Sequence, residues 1–524
     1  FFECYGIDND KESIGTVIDI AKLLNIQLTR KNKSIIRNSR KNPLMSGIPI
    51  ASFKRCLDIL INNGFTVVVI EQTGSQPTKK TGKFAREVTN IYSPSTYIDN
   101  ISSHKTNNLV SVFLNIESDY KTNENIYIFG LTMMDMSTGK SIVYETDYMD
   151  GKTPAVFEDV YRFIETYNPS EVIVNVKKFD GTEDDILKLI NISSRPYHIK
   201  MNKEITQDIY KLEYQNQFLK QIYSHEHMGF LSPIEYLNME RTQYSLISFI
   251  LLIDFAYEHN KSIVAQLDKP TTHEISKYMK LHHNTLYQLN VVNNANTAQK
   301  IYSLQRRRTH NSQSSSHQRI QYKSLFDVLN QTSTSMGRRL LREHLLNPLT
   351  NPEKINQRYN LIDDIKKQTD IEKYETYLKL VLDIERLHRR MRINMIQPTE
   401  IHSLYQTYQS IQSIIKLFVK NHKNKKRITI ADYDISSEDI TNFNKLVDEL
   451  NDTFHIDKIV KYQKENMTES IFKPTIHASA DQIQENISEI HKLYDTEIKY
   501  FSDKLNDTNI IKLKHSDRDG YYLT

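Results

Sequence analysis

The sequence predicts a multidomain chain in which two α/β regions are followed by a region that is mostly α-helical. The chain has 524 residues, several times the usual domain size of about 100–150 residues. Strand-like and helix-like apolar patterns alternate in the first part of the chain, and from about residue 205 the pattern is helical for most of the remaining length. Three or four domains are therefore expected.

Residues 1–101 have the pattern of a small mixed α/β domain. Apolar residues recur at helical spacing from Phe53 to Ile61, and Gly64 is expected to end that helix. The apolar run from Phe65 to Ile70 predicts a strand that is buried on both faces.

Residues 102–204 predict a second α/β domain. A helix is expected through Val160 and Ile164. Short apolar runs predict strands at residues 109–114, 126–130, 141–144 and 171–174. The resulting order of three strands, a helix and a strand is typical of an α/β domain.

Residues 205–465 predict a helical domain. The clearest helical segments are residues 245–259, 337–347, 352–367 and 374–391. Asn351, Pro352 and Glu353 combine a capping side chain, a proline at the first helical position and an early acid. The apolar run at 246–257 is shorter than the ~20 residues that span a bilayer, so it predicts a buried helix. The polar, basic segment 306–323 has little to bury and predicts a mobile insertion.

Residues 466–524 predict a long helix followed by a β-hairpin. Ser479 and Gln482 are placed as a capping box that opens the helix, and apolar residues then recur every three or four positions as far as Leu505. Strand-like runs at 510–514 and 520–523 flank a turn at 517–520.

Charge and cysteine content limit the possible functions. With 68 basic and 64 acidic residues the net charge is only +4, so nucleic-acid binding would have to use local basic surfaces. The two cysteines, Cys4 and Cys56, are too few for a disulfide framework or a four-cysteine zinc site. Together with the lack of a visible signal peptide, they favour an intracellular, reducing compartment.

Five short motifs follow one another in the N-terminal region. They are Phe1-Phe2-Glu3, then Met45 to Pro49, Ile70 to Gln72, Arg86 to Thr89 and Ser93 to Thr96. In this order they resemble the mismatch-sensing domain of the MutS family of DNA mismatch repair proteins. A short motif of this kind is weak alone. The resemblance depends on these motifs occurring in family order together with further motifs along the chain.

Further motifs continue the resemblance along nearly the whole chain. They are Gly130 to Gly139 with Pro169 to Glu171 for an RNase H-like connector domain, Ser324 to Asn330 with Thr334 to Arg342 and Asn347 to Arg358 for the core, Asp383 to Leu387 for the long-helix lever, and Phe472 to Asp481 with Gly520 to Tyr522 for the clamp. The resemblance implies a mismatch-binding domain at 1–101, a connector at 102–204, a core and lever at 205–465, and a clamp at 466–524.

Three features depart from the family pattern. Phe2 occupies a position that is usually tyrosine, and the insertion after Leu286 to Asn290 is longer than usual. The family's ATPase domain is expected after the clamp, but the sequence stops at Thr524. The resemblance therefore implies ATP and Mg²⁺ as cofactors of the complete family member and none bound by this chain, so enzymatic activity is left open.

Phe1 and Glu3 are the residues that the resemblance assigns to mismatch sensing. Wedging an aromatic ring into a base step costs a few kcal/mol of unstacking, and the cost is lower where pairing is already faulty. The resemblance implies that Phe1 is this wedge. It also implies that Glu3 contacts the mispaired base after taking up a proton, because an ionised acid near phosphates is repelled.

Basic residues in two regions are candidates for contact with the DNA backbone. In the mismatch-binding domain they are Arg30, Lys31, Lys33, Arg37, Lys79, Lys80 and Lys83, and in the clamp they are Lys512, Lys514 and Arg518. Arg40 and Lys41 lie in the same basic stretch as Arg37. The basic run 420–427 is interpreted as a solvated loop between two helices.

The resemblance also implies the partners. They are mismatched double-stranded DNA, a second copy of the chain in a homodimer, and downstream mismatch repair proteins. No membrane partner is expected.

Other site chemistry is weakly supported. Gly139-Lys140-Ser141 and Gly151-Lys152-Thr153 end like a phosphate-binding loop, but the required earlier glycine is replaced by Met134 and Thr146. His225 and His227 are two residues apart and would lie on different helical faces, which disfavours a metal site.

Two rival functions stay open. One is a helical scaffold or a DNA clamp that has lost mismatch discrimination. The other is a metal-dependent nuclease that uses Asp135 and Glu171, although such catalysis needs several converging carboxylates and a shared fold does not confer activity.

Overall fold

The structure is a computed structural model that describes most of the chain. The described residues are 1–73, 85–98, 107–121, 124–146, 155–179, 181–192, 195–223, 229–279, 281, 283–292, 324–367, 370–421, 427–430, 433–460, 470–505, 512–516 and 520–524.

The chain forms two compact units. The first comprises Phe1–Asn356 and Glu385–Met395, and the second comprises Gln357–Ile384 and Ile396–Thr524. The mixed α/β class predicted from the sequence is confirmed. The division into four domains stays a prediction.

The strands are numbered in chain order. They are β1 (Phe2–Asp8), β2 (Ser13–Ile14), β3 (Leu28–Arg30), β4 (Leu44–Ile48), β5 (Val67–Thr73), β6 (Ala85–Tyr92), β7 (Asn108–Ser118), β8 (Asn125–Asp135), β9 (Lys140–Glu145), β10 (Glu171–Lys177), β11 (Tyr197–Met201), β12 (Thr271–Thr272), β13 (Arg427–Ile430), β14 (Tyr433–Ser436), β15 (Leu513–Ser516) and β16 (Gly520–Leu523).

The helices are identified by their bounds. The α-helices are Val17–Leu24, Phe53–Asn62, Ala155–Tyr167, Glu183–Ile190, Leu212–Ile222, Pro233–Tyr236, Gln243–His259, His283–Gln288, Leu325–Leu329, Ser335–Leu346, Pro352–Lys366, Ile371–Leu378, Ile384–Arg392, Pro398–Asn421, Ser437–Thr453, Ile456–Ile459 and Ala478–Leu505. Short 3₁₀ helices occur at Ile50–Ser52, Asn202–Glu204, Gln207–Tyr210, Lys261–Val264 and Ile275–Lys277.

An antiparallel sheet in the order β2-β1-β4-β3 begins the first unit. Helix Val17–Leu24 packs against β1 and β4. Inward-pointing Phe2 packs against Phe53 of helix Phe53–Asn62, with the two rings tilted and their centroids 4.4 Å apart. This sheet is called the first sheet below.

The β5–β6 hairpin departs from the expected burial. The predicted strand is present, but Val68 and Ile70 are 50% and 56% exposed, and of β5's valines and isoleucine only Val69 is buried. The prediction of burial on both faces was therefore wrong. Among the described residues, β5 pairs with β6 in a two-stranded sheet and helix Phe53–Asn62 packs against Val67. Covering one face of the strand leaves the alternate residues Val68 and Ile70 exposed.

The six-stranded sheet lies at the centre of the first unit, in the order β11-β10-β7-β8-β9-β12. The strand and helix order predicted for residues 109–174 is confirmed. Helices Ala155–Tyr167 and Glu183–Ile190 cover one face, and helix Gln243–His259 covers the other. Because both faces are covered, β7 and β8 are buried along almost their whole lengths.

Helix Gln243–His259 is buried, as the sequence predicted for residues 246–257. Gly130 of β8 lies directly beneath it, so a methyl group added there would meet the backbone oxygen of Tyr244 at 2.0 Å. This close approach needs a residue without a side chain.

Helix Ile384–Arg392 brings buried charges into the first unit. Arg386 and Arg389 are 2% and 1% exposed. The Arg389 guanidinium donates to the backbone oxygens of Gln266 at 2.8 Å and Ile263 at 2.6 Å. Burial lowers the pKa of Arg389 to about 10. Arg389, two residues beyond the Asp383 to Leu387 motif, therefore ties this helix to the backbone of residues 263–266.

The single helix predicted over residues 374–391 was wrong. The structure has two helices, Ile371–Leu378 and Ile384–Arg392. The backbone amide of Leu382 between them donates to the Thr407 hydroxyl at 3.2 Å. A tertiary hydrogen bond replaces a helical one at this point, and residue periodicity does not reveal it.

In the second unit, helices Ile371–Leu378, Ser437–Thr453 and Ile456–Ile459 pack along helix Pro398–Asn421. The basic run 420–427 starts at the end of helix Pro398–Asn421 and finishes at the first residue of β13. The β13–β14 hairpin was not predicted from the sequence. Residues 422–426 lie outside the described part of the chain.

Helix Ala478–Leu505 and the β15–β16 hairpin follow the predicted order. The predicted capping box was misplaced, because Ser479 is the second residue of the helix. At this helix end the Asp481 carboxylate instead accepts from the backbone amide of Thr475 at 2.9 Å. At Pro352, by contrast, the predicted cap is confirmed, because Asn351 Oδ1 accepts from the Glu353 amide at 2.8 Å.

Candidate nucleic-acid interface

Strand β1 and Phe1, the residue before it, present an aromatic ring and a carboxylate on the outward face of the first sheet. Successive strand residues point to opposite faces, and the burial of β1 follows this alternation. Phe2 and Cys4 point inward, while Phe1, Glu3 and Tyr5 point outward. Phe1 is 81% exposed and Tyr5 is 44% exposed. The two residues predicted for mismatch sensing therefore lie on one accessible face.

Tyr5 joins this face, although the sequence interpretation missed it. Its hydroxyl donates a hydrogen bond to the Glu3 carboxylate. This hydrogen bond is the main reason why the pKa of Tyr5 is raised, and the positive charge of Arg86 acts in the opposite direction. Two-residue spacing along a strand was the signal that could have found Tyr5.

Arg86 lies close enough to this face for its positive charge to act on the pKa of Tyr5. It lies on β6, paired with Gln72 of β5, and is exposed. The sequence interpretation used Arg86 as part of a motif but did not include it among the DNA-contacting residues.

The basic loop between β3 and β4 is organised by a buried side chain, Asn42, which is 3% exposed. Asn42 Oδ1 accepts from the Asn32 amide at 2.7 Å. Asn42 Nδ2 donates to the backbone oxygens of Ile35 at 3.0 Å and Arg37 at 3.3 Å. These bonds curl the loop, so the side chains of Lys31, Lys33 and Arg37 remain exposed.

Sheet register separates this loop from Phe1. Phe2 pairs with Ile48 at one end of β4, and Gly6 pairs with Leu44 at the other end, which continues into the basic loop. Four residues of strand correspond to about 14 Å. Arg30 also pairs with Leu44, which assigns it to the face opposite Phe1 and Glu3.

The two described basic candidates in the second unit lie on one hairpin face. Lys512 and Lys514 are exposed, and Lys514 pairs with Tyr522. The neighbouring Tyr521 points the other way and contacts Tyr494 of helix Ala478–Leu505, with ring centroids 6.2 Å apart. The two lysines are therefore on the hairpin face that points away from this helix.

Comparison with known proteins identifies the family. Residues 1–101 match MutS domain I, and residues 284–508 match MutS domain III. The chain is 29% identical to the mutS homolog L359 of Acanthamoeba polyphaga mimivirus, over 100% of this chain and 46% of that protein. It is 26% identical to the DNA mismatch repair protein MutS of Streptococcus mutans, over 76% of this chain and 38% of that protein.

The chain belongs to the MutS family. A third relative, the MutS protein of Fervidobacterium nodosum, is 25% identical over 85% of this chain and 45% of its own length. The chain thus spans less than half the length of these curated relatives.

Several predicted features of this MutS-family chain lie outside the described residues. They are Lys79, Lys80, Lys83, Arg518, the sequences 151–153 and 225–227, and the basic segment 306–323. Their predictions are neither supported nor contradicted by the structure.

The lysine of Gly139-Lys140-Ser141 has a structural partner in this MutS-family chain. Gly139 has a φ of +79° in the turn between β8 and β9, so the motif lies between two strands, as predicted. Lys140 forms an ion pair with Glu385. This arrangement lacks the helix N-terminus that cradles phosphates in a phosphate-binding loop.

The carboxylates of the nuclease alternative also have structural partners. Asp135 Oδ1 accepts from the amide of Ser137 at 2.9 Å and from its hydroxyl at 2.5 Å. Glu171 accepts from Ser93 Oγ at 2.6 Å. Within the described ranges, no three His, Cys, Asp or Glu side chains are grouped so that they could hold a metal ion.

The helices and cysteines of this MutS-family chain bear on membrane insertion and disulfide formation. In the described part of the chain, no helix combines the length and apolar character that a bilayer-spanning segment requires. Both cysteines are free thiols, Cys56 buried and Cys4 half-buried, and burial raises the pKa of Cys4.

Proposed function

We propose that this chain recognises mispaired or unpaired bases in duplex DNA and so initiates mismatch repair. The observation that carries the proposal is the outward face of β1, where the exposed Phe1 ring lies two residues from the Glu3 carboxylate. Membership of the MutS family supports it. The printed names of the bacterial relatives describe DNA mismatch repair proteins.

Phe1 is proposed to act as a wedge at a weak base step. Opening a sound step costs a few kcal/mol, and a mispaired step costs less, so insertion favours faulty DNA. Glu3 is proposed to form a hydrogen bond with the displaced base. The hydrogen bond from Tyr5 would hold the Glu3 carboxylate beside the wedge.

Basic residues are proposed to hold the phosphate backbone independently of sequence. Lys31, Lys33 and Arg37 are exposed on the loop about 14 Å from the Phe1 end of the sheet. Arg86 is exposed near Tyr5. Arg30, Lys79, Lys80, Lys83, Lys512, Lys514 and Arg518 are proposed to contribute in the same way.

The first test compares the affinity of the full 524-residue chain for matched and mispaired duplexes. We expect the parent to prefer the mispaired duplex, and Phe1→Ala to reduce that preference by about tenfold, as expected for one modest contact. Tyr120→Ala is the matched control, because Tyr120 is also a fully exposed aromatic residue but lies elsewhere in the first unit.

Equal affinity of the parent for both duplexes would reject mismatch sensing and favour the non-discriminating clamp. No binding to either duplex would favour the scaffold alternative. An effect of Tyr120→Ala as large as that of Phe1→Ala would remove the special role of the wedge.

A second test separates backbone contact from mismatch sensing. Replacing both Lys33 and Arg37 by alanine should weaken binding to both duplexes and lower the slope of log affinity against log salt by about two, since each phosphate contact contributes about 0.9. The preference for the mispaired duplex should not change. An unchanged slope would show that this loop does not contact phosphates.

The activities of complete relatives are proposed for the whole protein rather than for the described residues. We propose that it uses ATP and Mg²⁺, forms a homodimer and acts with downstream repair proteins in a reducing compartment that contains DNA. Size measurement of the purified chain, with and without mispaired duplex, would test the homodimer.

A further inference from the structure

A buried segment, called the joint below, lies on the course of the chain from the first sheet's region towards the six-stranded sheet. The joint is the segment 93–98, which follows β6. Ser93 and Ser95 are 0% exposed, and Thr96, Tyr97 and Ile98 are each 5% exposed or less. Connecting segments normally run over the surface because their polar groups need water. A buried connection must therefore satisfy those groups internally.

The carboxylate of Glu171 satisfies several of them. Its Oε2 accepts from Ser93 Oγ at 2.6 Å, from the Ser95 amide at 3.1 Å, and from the Ser95 hydroxyl. Its Oε1 lies 3.4 Å from His198 Nε2. Glu171 begins β10 and is 1% exposed. One buried side chain of the six-stranded sheet thus binds the joint at two serines.

Neighbouring residues of the joint are anchored on opposite sides. Tyr97 packs with Leu57 and Ile61 of helix Phe53–Asn62, and its hydroxyl donates to Asp58 at 2.6 Å. Ile98 belongs instead to the core that covers the six-stranded sheet. A change in the joint would therefore shift helix Phe53–Asn62, which packs against Phe2 through Phe53.

We propose that Glu171 is a positioning residue that fixes the orientation of the Phe1-bearing sheet on the six-stranded sheet by holding Ser93 and Ser95. It does not touch DNA in this proposal. It acts through the joint.

The charge of Glu171 strengthens this role. Burial would by itself raise the pKa of Glu171, but the hydrogen bonds from His198, Ser93 and Ser95 lower it overall, so the carboxylate is held ionised. Hydrogen bonds to an ionised acceptor are stronger than those between two neutral groups. Removing the carboxylate would leave several buried donors without their acceptor.

The test measures the distance between the two regions in the full chain. Spin labels would be placed at Lys22→Cys and Lys188→Cys, which are exposed positions on helices Val17–Leu24 and Glu183–Ile190. Cys4→Ser and Cys56→Ala would remove the two native thiols. We expect a narrow distance distribution in this background and a distribution at least about twice as broad after Glu171→Ala, because several charge-assisted bonds are lost together.

Glu165→Ala is the matched control. Glu165 is also a buried carboxylate of the same region, and it pairs with Arg195 at 2.6 Å rather than with the joint. The control should keep the narrow distribution. The same broadening in both variants would overturn the proposal, as would an unchanged distribution in Glu171→Ala.

Ser95→Ala tests the joint with a smaller change, in case Glu171→Ala does not fold. It should broaden the distribution, and adding it to Glu171→Ala should broaden the distribution no further. No broadening in Ser95→Ala, or fully additive broadening in the double variant, would overturn the proposal.

A DNA measurement extends this inference and depends on the proposed function. Glu171→Ala should lower the preference for mispaired duplex although Phe1 is unchanged, and Glu165→Ala should leave it unchanged. A parent chain without such a preference would reject the proposed function, while the distance measurement would still decide the role of Glu171. A retained preference in Glu171→Ala despite broadening would overturn the link between the joint and recognition.

Discussion

The first sheet and the six-stranded sheet differ in whether their charged and aromatic side chains are exposed or buried. The outward face of the first sheet exposes Phe1, Glu3 and Tyr5. In the six-stranded sheet, both faces are covered, and the carboxylates of Asp135 and Glu171 are buried with hydrogen-bond partners. The difference suggests a rule for this chain: an acidic residue at a strand end is a candidate binding residue when the sheet face that carries it is exposed to solvent. A buried, satisfied carboxylate more often holds the structure together.

The largest expected effect tests how tightly the six-stranded sheet is covered. Gly130→Ala should destabilise the first unit by at least about 3 kcal/mol, at the upper end for overpacked interiors, because the new methyl group would meet backbone atoms of Tyr244. Gly47→Ala in the first sheet is the control, since among the described residues its methyl group would come within 4 Å of the Phe1 ring alone, at 3.9 Å. Denaturant unfolding of both variants would measure the difference, and equal losses would contradict the comparison.

The pH dependence of stability should reveal His273, a partly buried side chain beside the six-stranded sheet. Burial, with help from the positive charge of Arg162, lowers the pKa of His273 to about 4. The His273 backbone amide bonds to Val143 of β9, and Nδ1 lies 2.9 Å from the Tyr167 hydroxyl. Between the ordinary pKa of about 6.5 and this value, the unfolded chain binds a proton that the folded chain does not.

Stability should therefore fall as the pH is lowered from about 6.5 to 4, by up to roughly 3 kcal/mol from this residue. His273→Gln should flatten that part of the profile. Unfolding midpoints measured across this pH range provide the test, and a profile of unchanged slope in the variant would exclude His273 as the cause.

The smallest expected effect compares adjacent rings of the first sheet. Phe2→Ala should cost about 2 kcal/mol, because Phe2 is half-buried against Phe53 and full burial is worth roughly 3–5 kcal/mol. Phe1→Ala should change stability by less than about 0.5 kcal/mol, since the ring is 81% exposed. Thermal unfolding would separate the two, and a larger loss for Phe1→Ala would contradict the exposed position of its ring.

Sequence patterns predicted the helices and strands better than they predicted which faces of them are buried. The strands from residue 109 to 174 and helix Gln243–His259 follow from apolar periodicity, and the structure confirms them. The same periodicity failed for β5, whose apolar residues remain exposed, and for residues 374–391, where the helix is interrupted. In both cases the outcome depends on a partner distant in sequence or on its absence, which no local pattern contains.

In the candidate nucleic-acid interface, too, the sequence predicted some residues and only the structure revealed others. Phe1 and Glu3 were accessible to sequence reasoning because their motif is short and contiguous. Tyr5 could be identified only once the alternation of side chains along β1 was known. Arg86 could be identified only from the structure, where the pairing of β5 with β6 brings it near β1.

By itself, the sequence determined the mixed α/β class, the order of most elements and the MutS resemblance, because these depend on the spacing of apolar residues and on ordered motifs. Only the tertiary structure decided which charged groups are exposed and which are paired. Glu3 and Glu171 are the same residue type, yet one points to solvent and the other accepts hydrogen bonds from a buried joint. The reason is that burial and pairing are set by elements far apart in the chain, and the free energy of a charge depends on both.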